Sequence, residues 1–454
     1  MRDEKARVLY AGFGKASITP DYSVPLAAYG NSAARMSQKV LHPLFATCIA
    51  LEDGSGQPLL LITTDVNNVY DAVLAPLREE VTAATGVGQE RIIVSATHTH
   101  SGPDQMCKHP AIEQYRPFFR KQVVQACQQA LADLAPATLR IGSVDVENMT
   151  FVRHYRMNDG TYSGANFGST ESGYAGHERE PDKQLQLVRF CREEKADILL
   201  VNWQAHALVA STRFTPESFK NRPHMSSDYV GVMRDYVTEQ TGLQVAFYLG
   251  AAGNQNPHSN IPEIQKNVPT DVNIYGRQLG DWVISCAQKL VPGQSGPIRL
   301  KKNMFAAQRD HSEDCNLEQA LTIKKLWNET NDRDLCYAAC KGTPILSPYH
   351  ATSVVSRAQM PNTPKEMELN AIGFGDVGVA TVPYEMFCQN AKAVKAGSPF
   401  AITIMITCCC GANNYVAADA AFEYGSYEVQ NRTFVRGTAE EVQDHLIAML
   451  NELK

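Results

Sequence analysis

The chain has 454 residues, of which 44% are hydrophobic and 20% are charged, and its formal net charge at pH 7 is −6. This mildly acidic composition, without any block of lysines and arginines, excludes charge-driven binding to nucleic acid or to an anionic membrane surface. Every apolar run is shorter than the roughly 18 residues that a membrane-spanning helix needs. We therefore expect a soluble globular protein with no nucleic-acid partner and no membrane span.

The N-terminal segment and the cysteines both favour a cytoplasmic location. The segment MRDEKARVLYAGFG is charged and leads directly into a predicted strand, so it lacks the apolar region of a secretory signal. The alternative is that such a signal has already been removed. The 12 cysteines are scattered, three of them consecutive from Cys408 to Cys410, and Cys336 and Cys340 lack the second pair that a zinc ribbon needs. We interpret them as reduced and mostly buried thiols.

Five short apolar runs share one design, in which a strand-forming core is followed at once by polar side chains. The runs PLLLITTD, RIIVSATHTH, DILLVNWQAH, LQVAFYLGAAGNQNP and DVGVATVPYE lead to Asp65, to His98 and His100, to His206, to Asn254 and Asn256, and to Glu385. Runs this apolar predict strands that are buried on both faces. Because ligands of α/β sheets tend to bind beyond the carboxyl ends of strands, the five polar ends predict one shared site.

Helical patterns alternate with these strands, for example at residues 73–86 and 116–134. The alternation predicts an α/β fold with a mixed β-sheet core covered by helices. Residues 149–183 are rich in glycine, serine, asparagine and tyrosine, and we interpret them as a long ordered loop over the sheet that contacts substrate. We interpret residues 1–454 as a single domain, in which residues 301–366, with the predicted helix NLEQALTIKKLWNE, form an insertion or elaboration.

The pair of histidines in THTHSGP is the most specific chemical signal. Because alternate residues of a strand point to the same face, we expect His98 and His100 to face one side together. Zinc binds neutral imidazole within a set of about four nitrogen, oxygen or sulfur ligands, and His206 and Glu385 lie at equivalent strand ends. The alternative, and the commoner case for an isolated His-x-His, is that both imidazoles only orient a turn. Two features favour the metal site here: hydroxyl side chains flank each histidine, and Gly-Pro then turns the chain.

The order of these segments along the chain carries a family resemblance. The segments are AGFGKASITP, SATHTHSGPD, NWQAHALVAS, GAAGNQNP, VATVPYE and NNYVAADAAFEYGSYE, and the last places Tyr415 and Tyr427 twelve residues apart. Taken together they resemble the neutral ceramidases, zinc amidohydrolases that cleave the amide bond of N-acylsphingosine. The resemblance extends from about residue 11 to residue 428, and it implies a ceramidase-like catalytic domain with Zn²⁺ as its cofactor.

The resemblance also implies roles for individual residues. Four of them correspond to zinc ligands, namely His98, His206, Glu385 and Tyr415. His100 corresponds to a histidine that transfers protons, and Tyr427 to a tyrosine that helps to hold the substrate oxyanion. An arginine of the long loop should also hold the oxyanion; Arg153 in FVRHYR is the first candidate and Arg156 is the alternative.

Three further residues are expected to contact substrate or to support the site. Asp65 follows a neighbouring strand end, and from that position it could orient one of the histidines. Asn256 and Arg156 complete the candidate substrate-binding set. Two segments depart from the family pattern, because Asn254 replaces a carboxylate that family members commonly have and NNYVAA lacks their glycine and proline. The sequence ends at Lys454, so we also expect a shortened relative without the C-terminal β-sandwich domain of characterised ceramidases.

The expected function is that of a zinc-dependent hydrolase that cleaves an N-acyl amide through a metal-bound hydroxide. Its partner would be a small-molecule or lipid-like amide, smaller or more soluble than ceramide. The ceramidase resemblance implies a role in lipid metabolism. Two alternatives stay open: a non-catalytic metabolite- or carbohydrate-binding protein on the same scaffold, and a metal-dependent lyase or isomerase. The sequence leaves the oligomeric state and the identity of the acyl group and amine undetermined.

Overall fold

The computed structural model describes residues 8–29, 32–211, 221–330 and 332–454, so the charged segment before residue 8 lies outside the described residues. The strands, in chain order, are β1 Leu9–Ser17, β2 Lys39–Val40, β3 Phe45–Glu52, β4 Leu59–Thr64, β5 Ile92–Ala96, β6 Ala135–Asp145, β7 Phe151–Val152, β8 His154–Met157, β9 Tyr162–Gly164, β10 Tyr174–His177, β11 Gln184–Arg192, β12 Ile198–Trp203, β13 His224–Met225, β14 Gln244–Leu249, β15 Gln255–Asn256, β16 Val291–Gly293, β17 Ile298–Ala307, β18 Lys365–Phe374, β19 Val377–Thr381, β20 Glu385–Met386, β21 Ile402–Ile406 and β22 Tyr415–Val416. The α-helices are α1 Asp71–Thr85, α2 Pro110–Ala132, α3 Asp228–Thr241, α4 Pro262–Gln265, α5 Val272–Ala287, α6 Leu317–Thr330, α7 Arg333–Cys340, α8 Pro348–Ala358, α9 Cys388–Gly397, α10 Tyr427–Gln430 and α11 Thr438–Asn451. Within the described ranges, no helix combines the length and the hydropathy that crossing a membrane requires.

A large mixed sheet forms the centre of the fold. Its strand order is β14-β12-β11-β6-β1-β3-β4-β5, and β16 pairs with β6. The pairs β12–β14 and β4–β5 are parallel, whereas β1, β3, β6 and β11 pair in antiparallel fashion. All residues of β4, β5 and β12 are buried. The predictions of a mixed sheet and of strands buried on both faces are therefore confirmed.

A second sheet, in the order β17-β18-β19-β21, packs against the first. Residues that alternate along its strands divide between two cores, as the twofold period of a strand requires. Ile372, Phe374 and Val379 belong to the core shared with the large sheet, whereas Leu369 and Ala371 belong to the core shared with α9 and α11. The two sheets thus lie between outer helices, with α2 against β1 and β3 on the far side.

The run of three cysteines closes the gap between the two edges of the large sheet. After β21, the amide of Thr407 donates to the carbonyl oxygen of Leu249 at the end of β14 (3.0 Å). The carbonyl oxygen of Cys408 accepts from Ala96 at the end of β5 (3.1 Å), and Cys410 donates to Val94 (2.7 Å). The carboxyl ends of three strands consequently meet at one place. All 12 cysteines are free and nine are buried, as the sequence predicted.

Two segments are more regular than their composition indicates. Residues 149–183 were predicted to be a long loop, which is wrong in part: β8, β9 and β10 form a small antiparallel sheet there, and β7 pairs with β15. Short strands were missed because their composition is that of a loop. Residues 301–366 contain most of β17 and the helices α6, α7 and α8, which have a small core of their own.

The glycines of AGFGKAS allow α2 to approach β1 directly. A Cβ atom on Gly14 would lie 1.9 Å from the carbonyl oxygen of Ala126, and one on Gly12 would lie 2.0 Å from that of Ala130. Because backbone cannot yield as a flexible side chain does, Gly14→Ala should lower the free energy of unfolding by about 3 kcal/mol or more. Urea denaturation measures this loss. Gly293→Ala is the control, since the nearest atom there is a side-chain carbon 3.4 Å away; equal effects of the two variants would contradict the packing argument.

A buried ion pair links α1 to the second sheet. Both carboxylate oxygens of Glu368 accept from Arg78 at 2.7 Å, and Lys302 lies 2.7 Å from Oε2. Burial opposes the charge on Glu368, but Arg78 and Lys302 outweigh it and lower the pKa to about 2. A depressed folded-state pKa gives stability that is present above the unfolded value and lost as the pH falls.

Glu368→Gln should therefore cost about 3 kcal/mol of unfolding free energy at pH 7, because it leaves Arg78 buried without its carboxylate. The difference between wild type and variant should shrink as the pH falls below the carboxyl's ordinary value of 4.5 towards 2. Denaturation from pH 7 to pH 3 measures it. A difference that does not change with pH would contradict the assignment.

Candidate metal centre

Three of the predicted polar strand ends converge on one buried point. Oε2 of Glu385 lies 3.2 Å from Nε2 of His98 and 3.0 Å from Nε2 of His206. The ring of His100 completes the group, with its centroid 5.1 Å from that of His98 and 5.4 Å from that of His206. One nitrogen from each of the three imidazoles lies within 4.8 Å of the others. This is a spacing at which a single metal ion can be shared.

The two histidines of THTHSGP come together by a turn and not by strand alternation. The strand β5 ends at Ala96, and His98 has a left-handed backbone conformation with φ of +61°. The expectation that a continuing strand would point both side chains to one side is therefore wrong in its geometry. Backbone bonds from Thr97 to Thr64 (2.9 Å) and from His100 to Ala207 (2.9 Å) hold the turn in place. The positive φ is strained for histidine, which is typical of functional sites.

Hydrogen bonds to the backbone fix the orientation of two imidazoles. Nδ1 of His98 donates to the carbonyl oxygen of Asn67 (2.8 Å), and Nδ1 of His206 donates to that of Gln255 (3.0 Å). Because a carbonyl oxygen can only accept, the Nε2 atom of each ring carries a lone pair towards Glu385 when the ring is neutral. This tautomer is the one that metal-binding histidines use.

The charges at the centre couple Glu385 to the imidazoles around it. Burial opposes ionisation of Glu385, which is 7% exposed, yet His98 and His206 outweigh it and hold its pKa well below the ordinary value. Burial is the main reason why the pKa of His100 lies well below its ordinary value, and the neighbouring His98 and His206 lower it further. Burial opposes the charge on His98, but Glu385 outweighs it and raises the pKa of His98 well above its ordinary value, whereas burial lowers the pKa of His206. At neutral pH the Glu385 carboxylate is therefore paired with His98, and His100 and His206 are neutral.

The two tyrosines and Arg153 form one side of the site. The strand β20 pairs with β22 so that Glu385 is opposite Tyr415. The ring of Tyr427 follows, 5.9 Å from that of Tyr415. The guanidinium carbon of Arg153 lies 5.3 Å from the ring of Tyr415 and 6.0 Å from that of Tyr427. Four residues that the sequence assigned to the site are thus neighbours.

A buried network that the sequence did not reveal holds Arg153. Oε1 of Glu428 accepts from Nε of Arg153 (2.8 Å) and lies 2.6 Å from Nη2. Oε2 lies 2.8 Å from Nε2 of His154, whose Nδ1 is 3.0 Å from the hydroxyl of Tyr424. Burial opposes the charge on Glu428, but His154 and Arg153 outweigh it and lower its pKa. The only signal in the sequence is adjacency, since His154 follows Arg153 and Glu428 follows Tyr427.

Two predicted site residues lie elsewhere. Arg156 is exposed on β8, whereas Arg153 is buried beside the tyrosines, so the structure favours Arg153 of the two candidates. The Asp65 carboxylate is paired with Arg234 and accepts from the amide of Phe45 and from the Thr97 hydroxyl (3.2 Å). Among the described residues, none of its hydrogen bonds goes to an imidazole, which corrects the expectation that it orients one.

The asparagines of GAAGNQNP support the backbone of the site. Oδ1 of Asn254 accepts from the amide of Cys388 (2.9 Å), and its carbonyl oxygen accepts from the amide of Arg153 (2.9 Å). Asn256 pairs with Phe151 through β15 and β7. Asn254 therefore ties Arg153 to the segment after Glu385. The amide that replaces the family's carboxylate at this position makes a neutral structural link.

Fold and site together define an α/β protein with a buried centre of imidazole and carboxylate side chains that is suited to a divalent metal ion. Two imidazole nitrogens and a carboxylate form a donor set that Zn²⁺ uses in catalytic sites. The buried Nδ1 atom of His100 has no hydrogen-bond partner among the described residues.

The comparisons with known proteins agree with this fold. The neutral ceramidase of Pseudomonas aeruginosa is 24% identical over 267 residues, which are 55% of this chain and 37% of that protein. The crystal structure of neutral ceramidase from Pseudomonas aeruginosa matches with a TM-score of 0.72 at 18% identity, over 98% of this chain and 74% of that one. A structure described as ceramidase complexed with C2 matches with a TM-score of 0.71 at 16% identity, over 98% and 75%. No family model matches the chain.

The chain is thus related to the neutral ceramidases and has their fold, which confirms the resemblance found in the sequence. It spans 37% of the length of the curated relative that it matches. The relationship fixes the architecture of the domain. The activity, the metal and the roles of individual residues are proposals.

Proposed function

We propose that this chain is a zinc-dependent hydrolase of N-acyl amides, with a substrate smaller or more soluble than ceramide. The observation that carries the proposal is the single carboxylate oxygen of Glu385 facing the Nε2 atoms of His98 and His206 at 3.2 and 3.0 Å. The choice of an amide substrate follows from the names of the relatives, because ceramidases act on N-acyl amides.

In this proposal His98, His206, Glu385 and Tyr415 hold the zinc ion. When bound, zinc supplies a Lewis acid and lowers the pKa of a coordinated water, so that a nucleophile is available near neutral pH. The four side chains come from four different parts of the chain, and hydrogen bonds to backbone carbonyls orient both imidazoles.

His100 transfers protons at the reacting centre. Its depressed pKa keeps the imidazole neutral, so it is able to accept a proton from the attacking water. The amine of an amide leaves poorly as an anion, so the imidazolium then returns the proton to the departing nitrogen.

Arg153 and Tyr427 stabilise the oxygen of the amide carbonyl as it gains negative charge. Glu428 holds the guanidinium in place, and Tyr427 lies beside it. A single positioned donor of this kind is worth about 3 kcal/mol of transition-state stabilisation. The tyrosine hydroxyl is a donor at neutral pH, because burial raises its pKa.

Hydrolysis of a panel of N-acyl amides in water labelled with oxygen-18 tests the proposal. The expected result is release of the free amine and one labelled oxygen in the carboxylate product, with activity lost to a chelator and restored by zinc. Bound metal without turnover across the panel would favour the binding-protein alternative. Turnover without labelled oxygen in the product would favour a lyase or isomerase.

A further inference from the structure

The imidazole of His100 lacks the hydrogen bond that orients the other two histidines of the centre. Nδ1 of His98 and Nδ1 of His206 each donate to a backbone carbonyl oxygen, at 2.8 and 3.0 Å. Nδ1 of His100 is also buried, but it has no hydrogen-bond partner among the described residues. A ring that moves protons needs a fixed position, because small displacements of a reacting group cost large factors in rate. Another kind of contact must therefore hold this ring.

Aromatic contacts take the place of that hydrogen bond. The ring of Tyr29 lies edge-on to that of His100, with centroids 5.3 Å apart and an interplanar angle of 74°. The rings of His98 and His206 also contact it, at 5.1 and 5.4 Å. Edge-to-face contacts of this kind are favourable. Of these three neighbouring rings, that of Tyr29 is the only one without a proposed role at the metal.

Tyr29 is itself fixed by several contacts. Its hydroxyl lies 3.2 Å from Oγ of Ser211. The guanidinium carbons of Arg35 and Arg222 lie over its ring, 4.7 and 3.9 Å from the centroid. Guanidinium groups at these distances are attracted to the face of a tyrosine ring. These contacts restrain the ring in the place where it meets His100.

Arg35 also fixes the backbone of His100. Its Nη2 donates to the carbonyl oxygen of His100 (2.8 Å). Its Nε donates to the carbonyl oxygen of Arg222 (2.7 Å), and its Nη1 donates to that of Ala27. Burial lowers the pKa of Arg35 to about 10, so the guanidinium is still charged at neutral pH. One arginine thus connects the segment that carries Tyr29 to the turn that carries His100.

We propose that Tyr29 is a positioning residue for His100, whose imidazole it holds in the orientation that passes a proton from water to the departing amine. This inference rests on the proposed function, which it deepens by naming a residue that acts through His100. When the C–N bond of the amide breaks, its electron pair stays on the nitrogen, and the proton from His100 makes the product a neutral amine. A leaving group that departs as a stable anion does not need that proton.

Two substrates with the same acyl group separate this role from general damage to the site. N-octanoyl-ethanolamine releases an alkylamine, whereas 4-nitrophenyl octanoate releases 4-nitrophenolate. Tyr29→Leu should lower kcat for the amide by about 10- to 100-fold and change KM much less. The loss of kcat for the ester should be at least about fivefold smaller, because its leaving group needs no proton. Tyr29→Phe keeps the ring and should retain kcat for the amide within about threefold of wild type.

Tyr236→Leu is the matched control. Tyr236 also lies beside a guanidinium, with the carbon of Arg277 at 5.6 Å, and its hydroxyl donates to Asp281 (2.8 Å). Among the described residues, no imidazole ring contacts it, so this variant should leave both reactions unchanged. Equal losses of kcat for the amide and the ester in Tyr29→Leu, or no loss for the amide, would overturn the inference. Tyr29→Met provides the same comparison if Tyr29→Leu does not fold.

NMR spectra of the protein labelled with carbon-13 at Cε1 of histidine separate this inference from the proposed function. The His100 signal is identified by its absence from the spectrum of His100→Ala. It should be single in wild type and in Tyr29→Phe, but split or broadened in Tyr29→Leu, because the imidazole then adopts more than one orientation. If neither substrate were hydrolysed, the proposed function would be contradicted, and this signal would still decide whether Tyr29 holds the ring. A single sharp His100 signal in Tyr29→Leu would overturn the inference.

Discussion

Replacing His206 with alanine is expected to lower kcat/KM for N-acyl amide hydrolysis at least about 1,000-fold, or about 4 kcal/mol of transition-state stabilisation. The substitution removes one of the two imidazole nitrogens that face Oε2 of Glu385. It also leaves that buried carboxylate with His98 alone. Zinc binding should weaken together with activity, because the proposed zinc site loses one of its ligands.

The control for this variant is His445→Ala, at an exposed position on α11 whose imidazole bonds to the carbonyl oxygen of Glu441 within the same helix. Steady-state kinetics at saturating zinc, with thermal unfolding of both variants, provides the measurement. A His206→Ala protein that folds and retains more than a tenth of wild-type activity would show that His206 is not part of the machinery.

Arg153→Ala is expected to lower kcat by about 100- to 1,000-fold, because one positioned oxyanion donor is lost. KM should change much less, since the donor acts on charge that develops only in the transition state. Arg153→Lys should recover little, because a lysine cannot form the paired contacts that the guanidinium makes with Glu428.

Arg156→Ala is the matched control, because this arginine lies three residues away on the exposed side of β8. It should leave kcat and KM unchanged. If Arg156→Ala were as damaging as Arg153→Ala, the choice between the two arginines would be reversed. An Arg153→Ala variant with unchanged kcat would remove the arginine from the reaction altogether.

The sequence predicted the main strands and the convergence of their ends because these depend on local patterns. The runs before Asp65, His98 and His206 are so apolar that only strands covered on both faces accommodate them, and the structure has such strands there. The link between the edges of the large sheet depends on Cys408 to Cys410, whose pairing with distant strands leaves no local pattern.

The details of the site depended on long-range contacts that no single stretch reveals. The left-handed turn at His98 is imposed by its surroundings and not by its residue type, which disfavours that conformation. Asp65 is as well placed in the sequence as His98, yet it pairs with Arg234, which is 169 residues away. Glu428 and His154 show no motif, because their roles arise from the close approach of the two segments that carry them.

Metal content tests the central claim most directly. Elemental analysis should be performed on wild type, His98→Ala and His100→Ala, each purified without added metal. The account predicts about one zinc per chain in wild type, loss of that zinc in His98→Ala, and retention of it in His100→Ala, since His100 moves protons and does not bind the ion. Wild-type protein without stoichiometric metal would contradict the account, and loss of zinc in His100→Ala would make His100 a third histidine ligand.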